Sequence, residues 1–269
     1  MKFSNLHQHS TFSDGKHTPE EIVLKAIENG MESIGFSDHF MTPYEMKVGY
    51  NGITKNKCDD YLKEIDRLKK IYANKINVFK GIEADLYSVL NTKLYDYVIG
   101  SVHYLEHDSK TYPIDHTAKQ QLDYVNEACG GNKLLFARNY FNAVSECIEK
   151  FKPDIIGHFD LITKFSLINE DDCEYKKIAN ETLRNCLKIT NVLEINTGAI
   201  SRGYRKTPYP ATFLLERALE ENANIILSAD SHNKNTVTYF FEESINILKE
   251  IGFKHIVKFT NKGFIKETI

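Results

Sequence analysis

Residues 3–39 read FSNLHQHSTFSDGKHTPEEIVLKAIENGMESIGFSDH, a stretch that divides into a strand, a helix and a second strand. The run 3–6 is short and extended in character. Thr18 then caps a helix, Pro19 suits its first turn, and Glu21 completes a Thr-x-x-Glu capping box. Ile22, Val23, Ala26 and Ile27 form one apolar stripe, and Gly30 stops the helix. Ser33–Phe36 supplies the second strand. A strand, a crossover helix and a strand in this order predict a parallel α/β architecture.

The pattern continues to the C-terminus. Further strands are expected at 76–82, 95–102, 154–156, 192–195 and 225–227, with 256–259 as an eighth or edge strand. Helices are expected near 58–73, 117–128, 138–151, 172–190, 209–222 and 240–251. In the first of these, Leu62, Ile65, Leu68 and Tyr72 recur at helical spacing. Seven or eight such units predict an α/β barrel, with a doubly wound open sheet as the alternative. The 269 residues approach the roughly 250 of a typical barrel, so one domain over 1–269 is expected.

Apolar residues make up 42% of the chain and charged residues 26%, a balance that excludes a disordered chain. The net charge is −3, and without a basic stripe no nucleic-acid partner is expected. Apolar runs are too short for a membrane span. The first residues lack a signal-peptide core, and Cys58, Cys129, Cys147, Cys173 and Cys186 form no Cys-x-x-Cys pair. Reduced thiols in a cytoplasmic protein are therefore expected.

Polar residues collect where the strands end. The first is followed by His7, His9 and Asp14, the second by His39, and the third by Glu83. His103 follows the fourth, His158 the fifth, and Asp230 with His232 the seventh. In a parallel barrel the C-terminal strand ends converge on one face. Alternate residues of an extended strand point the same way, so His7 and His9 can share the barrel mouth, as can Asp230 and His232. Imidazole with carboxylate suits Zn, Fe or Mn better than Ca or Mg. A cation with an open coordination position can lower the pKa of water to about 7 and make hydroxide available at neutral pH. His17, His107, His116 and His255 lack this placement and read as surface or loop residues.

These residues resemble the PHP (polymerase and histidinol phosphatase) family. The first motif, H-x-H-S-x-x-S-D-G, is carried by His7, His9 and Asp14. The others are S-D-H with His39, G-I-E with Glu83, G-S-V-H with His103, G-H-x-D with His158, and A-D-S-H with Asp230 and His232. The resemblance implies a distorted (β/α)7 barrel and three divalent transition-metal ions, Zn, Mn or Fe. It implies that His7, His9, Glu83 and Asp230 hold one ion. Glu83 would bridge to a second, held also by His103 and His158, and Asp14, His39 and His232 would hold the third. Some relatives have histidine at the Asp14 position, which makes His17 the alternative there.

Segments 157–165 and 194–210 resemble the monofunctional histidinol-phosphate phosphatases of that family. The implied reaction is hydrolysis of L-histidinol phosphate, a step of histidine biosynthesis, by attack of metal-held hydroxide. Arg202, Arg205 and Lys164 are candidates for the phosphate, and Asp230 or His232 for protonating the leaving alkoxide. Asp160 and Asp115 are candidates for the substrate ammonium, and Tyr44 and Tyr50 for its imidazole ring. The alternatives are a phosphodiesterase or exonuclease of the same family, a protein-tyrosine phosphatase, and a non-catalytic metal-stabilised binding module.

Overall fold

A computed structural model describes residues 1–48 and 52–269. The strands are β1 (Ser4–Asn5), β2 (Ser33–Phe36), β3 (Asn77–Asp85), β4 (Tyr97–Ser101), β5 (Tyr104–His107), β6 (Lys110–Pro113), β7 (Ile155–Ile156), β8 (Val192–Asn196), β9 (Asn224–Ser228), β10 (His255–Thr260) and β11 (Gly263–Thr268). The helices are α1 (Pro19–Glu28), α2 (Pro43–Val48), α3 (Cys58–Ile71), α4 (Ala118–Cys129), α5 (Lys133–Phe151), α6 (Cys173–Leu187), α7 (Gly198–Ser201), α8 (Thr212–Glu220) and α9 (Phe241–Ile251).

Seven strands form one parallel sheet in the order β1-β2-β3-β4-β7-β8-β9. Just beyond their ends β1 and β9 meet: Gln8 and Ser231 form a parallel bridge, and the His9 N–H donates to the Ser231 carbonyl at 3.0 Å. The sheet therefore curls into a distorted (β/α)7 barrel. A doubly wound sheet would show a switch in strand order, and the consecutive order has none.

Strand periodicity sorts the side chains. On β3, Val78, Ile82 and Ala84 pack outward with Ile22, Val23, Ile65 and Leu68 of α1 and α3. The alternate residues, Phe79, Gly81, Glu83 and Asp85, belong to the inner face. Tyr97 crosses that interior. Its hydroxyl donates to the Phe36 carbonyl at 3.1 Å, and a side chain at Gly81 would collide with its ring at 2.1 Å. The close approach requires glycine there. On β4, β7, β8 and β9 the inner floor is Ile99, Ile155, Val192 and Ile226, which pack with Leu6, Phe79 and Tyr97. Apolar residues thus fill the N-terminal end of the barrel, and polar residues gather at the C-terminal end.

The expected eighth strand is not part of the barrel. Residues 256–259 lie in β10, which pairs antiparallel with β11. Val257, Phe259 and Phe264 of this hairpin pack against the inner floor. It plugs the barrel from below, because its alternating apolar face is matched to that floor rather than to a helix layer. The β5–β6 hairpin follows β4 and is antiparallel, and short α2 and α7 occur where loops were expected. α5 starts at Lys133, earlier than the expected 138, because Asn132 caps it by accepting from the Leu134 and Leu135 N–H groups at 3.0 Å. The Thr18–Glu21 capping box is present at α1. Among the described residues no helix is long and apolar enough to cross a membrane.

Candidate metal centre

The nine expected ligand residues meet at the C-terminal mouth of the barrel. Glu83, at the inner top of β3, is their centre and is buried. Its Oε2 lies 3.0 Å from His39 Nδ1, 3.3 Å from His7 Nε2 and 3.5 Å from His9 Nε2. Its Oε1 lies 2.9 Å from His158 Nε2 and 3.4 Å from His103 Nε2. One carboxylate thus faces five imidazoles, three on one oxygen and two on the other. Asp230 Oδ1 adds a second carboxylate, 3.2 Å from His9 Nε2 and 3.7 Å from His7 Nε2. Asp14 stands at the outer edge, with Oδ2 3.1 Å from His232 Nε2 and 4.0 Å from His39 Nε2.

Local backbone explains these positions. Gln8 N donates to Ser37 Oγ at 3.2 Å and Ser37 N donates to the Gln8 carbonyl at 3.0 Å, so the β1 extension stays paired while His7 and His9 turn inward. Asp38 accepts from Ser10 N, Ser10 Oγ and Ser13 Oγ at 2.7, 2.8 and 2.6 Å. It thereby folds loop 10–15 over the mouth and brings Asp14 into place. A side chain at Gly15 would lie 2.4 Å from the His9 carbonyl oxygen, so only glycine permits that fold. Asp230 has a positive φ of 44°, a conformation that non-glycine residues adopt mainly where surroundings enforce it.

Electrostatics agree with a cation site. Burial would raise the Glu83 carboxyl, but His7, His39 and His103 hold it well below the usual carboxylate range. Burial opposes ionisation of Asp230 too, and Arg202 and His7 outweigh it. Burial, together with His232 and His39, pushes His9 down to about 3, leaving its ring neutral. Buried His7 Nε2, His9 Nδ1 and Nε2, and Glu83 Oε2 have no hydrogen-bond partner. Each such atom costs about 1–3 kcal/mol if left alone, and a cation among them would satisfy several at once. Four sets of ligand atoms each fall within 4.8 Å of one another: His9, Asp14, His39 and His232; His7, Glu83 and His158; His7, His9 and Asp230; and His39, Glu83 and His103. The residues present therefore fit divalent metal ions. His17 is not among them, since its Nδ1 accepts from Lys234 N at 3.3 Å.

Above this cluster opens a cleft of about 420 Å³, whose wall includes Glu45, Tyr104, Asp115, His116, Lys164 and Arg202. Arg202 donates to Asp230 Oδ2 at 3.0 Å and to the Asp230 carbonyl at 2.8 Å, and lies 3.1 Å from His232 Nδ1. It therefore stands at the edge of the ligand cluster. Lys164 Nζ is held by Asp115, 2.6 Å from its carbonyl and 3.1 Å from its carboxylate.

With this geometry in view, the comparisons with known proteins are specific. A family model described as PHP domain matches residues 5–198. The chain belongs to the PHP domain family. A Schizosaccharomyces pombe protein named "Probable histidinol-phosphatase" is 29% identical to this PHP protein over 256 residues, 87% of this chain and 81% of the relative. The Bacillus subtilis histidinol-phosphatase is 24% identical over 268 residues, 90% of this chain and 98% of the relative. Among solved structures, the Lactococcus lactis histidinol phosphate phosphatase, complexed with Zn, L-histidinol and phosphate, shares the fold with a TM-score of 0.72 at 24% identity. That match covers 98% of this chain and 99% of the other.

Two expected substrate residues of the PHP chain lie outside the cleft wall. Arg205 bonds Glu170 at 2.6 Å and the Thr163 hydroxyl at 2.5 Å, and lies over the Tyr209 ring. Asp160 is fully buried and accepts from the Ala211 N–H at 3.0 Å. Both stand behind the cleft wall, where Asp160 and Glu170 attract the Arg205 guanidinium against the cost of burial and the group braces segment 205–211. Tyr44 packs on Tyr104 at 5.2 Å, and Tyr50 lies outside the described residues.

Other residues were not singled out in advance. Glu194 Oε2 is 2.8 Å from His7 Nδ1, which turns Nε2 toward the cluster, and its Oε1 accepts from His158 N at 2.5 Å. Asp85 Oδ2 accepts from His103 N at 2.7 Å. The signal for both was inner-face parity, Asp85 with Glu83 and Glu194 with Val192 and Asn196. His116, read as a loop residue, lines the cleft, as does Glu45 from α2.

Proposed function

We propose that this PHP protein hydrolyses L-histidinol phosphate to L-histidinol and phosphate at a site of three divalent transition-metal ions, Zn, Mn or Fe. The observation that carries the reading is Glu83, whose two oxygens divide five imidazoles between them at the floor of an open cleft. Such a carboxylate is suited to bridge two ions. His7, His9 and Asp230 would complete one, His103 and His158 another, and Asp14, His39 and His232 the third. When bound, the ions supply Lewis acidity for the phosphate and a nucleophile from water at neutral pH.

The chain's own residues do the remaining work. Glu194 fixes the His7 tautomer, as a carboxylate commonly does behind a ligand histidine. Arg202 presents a planar fork at the cluster edge, suited to two phosphate oxygens, and Lys164 adds a point charge across the cleft. The leaving oxygen needs a proton, and Asp230 or His232, which share the lip beside Arg202, would deliver it; Asp230, held ionised by Arg202 and His7, would first take that proton from the attacking water. The substrate is supported by relatives of matching length that carry the histidinol-phosphatase name.

A steady-state assay of the Mn- or Zn-reconstituted protein tests this reading. Histidinol phosphate should give a far higher kcat/KM than a nucleotide diester or phosphotyrosine run beside it. Preferred turnover of the diester would replace the reading with the exonuclease one, and no turnover of any of the three would favour a binding module.

A further inference from the structure

Histidinol phosphate bears its ammonium on the carbon next to the one carrying the ester oxygen, so a partner for that charge must stand close to the metal cluster. Four carboxylates line the cleft: Asp14, Asp230, Asp115 and Glu45. Asp14 and Asp230 face the histidines of the cluster. Asp115 is paired with Lys164 at 3.1 Å. Asp160, expected for this task, is turned to Ala211 behind the wall. We propose that Glu45 is the specificity-determining residue that receives the substrate ammonium, an inference that rests on the histidinol-phosphate reading above.

Glu45 belongs to a Thr-x-x-Glu capping box at the start of α2. Its Oε2 accepts from Thr42 N at 2.5 Å, and Glu45 N donates to Thr42 Oγ1 at 3.3 Å. The same box occurs at α1, and the contrast between the two is informative. Glu21 is solvent-exposed and has Lys234 beside it at 3.0 Å. Glu45 is only 7% exposed, lines the cleft, and has no lysine, arginine or histidine within ion-pair distance among the described residues. A capping role accounts for one of its oxygens. The other, Oε1, accepts from the Tyr104 hydroxyl at 3.0 Å, and Tyr104 also lines the cleft. Each carboxylate oxygen can accept two hydrogen bonds, so positions remain for an N–H donor entering from the cleft. Among the described residues no direct ion pair holds this nearly buried carboxylate, and only the His39 imidazole acts on it from farther off; a buried carboxylate gains from a direct counter-ion, which a bound ammonium would supply. The rings of Tyr104 and His116, 5.7 Å apart and nearly perpendicular, offer adjacent aromatic surface for the imidazole.

The test compares histidinol phosphate with the imidazolylpropyl phosphate that lacks only the amine, in the metal-reconstituted wild type, E45Q and E45D. The wild type should prefer the amine-bearing substrate. In E45Q that preference, as a ratio of kcat/KM values, should fall about 10- to 150-fold, the span of a lost charge-assisted hydrogen bond. The loss should fall mainly on KM. E45D keeps the charge on a shorter stem and should retain part of the preference; if E45Q is too unstable to assay, a severalfold fall in E45D carries the same test. An unchanged preference in the variants overturns the assignment of Glu45 and leaves the phosphatase reading intact, as does a wild type that turns over both substrates equally well. A wild type that hydrolyses neither overturns the proposed function and this inference together.

Discussion

Glu83 and His39 occupy different places in one network, and that difference is measurable. Glu83 reaches five imidazoles through two oxygens, whereas His39 reaches one oxygen of Glu83 and the edge of Asp14. Glu83→Ala should therefore lose more bound metal than His39→Ala when both are purified alike and analysed by elemental mass spectrometry. Equal, full occupancy in Glu83→Ala would remove the bridge. At this scale the sequence was informative wherever a residue sat on a strand end: alternation sets Glu83 inward with Phe79 and puts His7 and His9 on one side, whereas Asp230 reaches the mouth through a left-handed backbone that alternation does not foretell. It was less informative in loops. Asp115 and Asp160 read alike as acids near the mouth, yet one is paired with a lysine in the cleft and the other is buried against a backbone N–H. No local pattern distinguishes them, because the difference is set by which distant segment packs beside each. Glu45 was hidden for a related reason: its capping box is a complete local explanation, and only the cleft reveals its second oxygen.

The strands divide their inner faces into an apolar floor and a polar mouth, and the C-terminal hairpin completes the floor. Phe259 of β10 packs its ring on Phe79 at 5.0 Å, Tyr97 at 5.7 Å and Phe264 at 5.0 Å. Truncating a buried phenylalanine costs about 3–5 kcal/mol. Phe259 is partly exposed, so Phe259→Ala should destabilise by about 3 kcal/mol, near the low end of that range. Urea unfolding checks this, and a loss below about 1 kcal/mol would mean that the hairpin merely rests on the barrel. The strand segments were legible because a short apolar run bounded by turn residues is distinctive. The role of 256–259 was not, since an eighth barrel strand and a plugging hairpin share the same alternation and differ only in pairing partner. α2 and α7 are too short to show a period, which is why loops were expected there.

For the whole molecule, parallel strands in consecutive order bring nine residues spread from His7 to His232 to one end. That convergence was inferable from strand count and from the resemblance, because a barrel has only one C-terminal face. The cleft's shape was not, for it depends on the β5–β6 hairpin, α2 and the segment behind Arg202. The buried, partnerless imidazole nitrogens and the Glu83 Oε2 of the cluster would tie the fold's polar end to bound cations, and with them the chemistry. The most direct test is to measure metal content and histidinol-phosphate hydrolysis on one preparation, before and after a strong chelator and again after adding back Zn or Mn. The purified protein should carry more than one equivalent of transition metal, lose its activity on chelation and regain it on reconstitution; a metal-free sample that remains fully active would contradict the account.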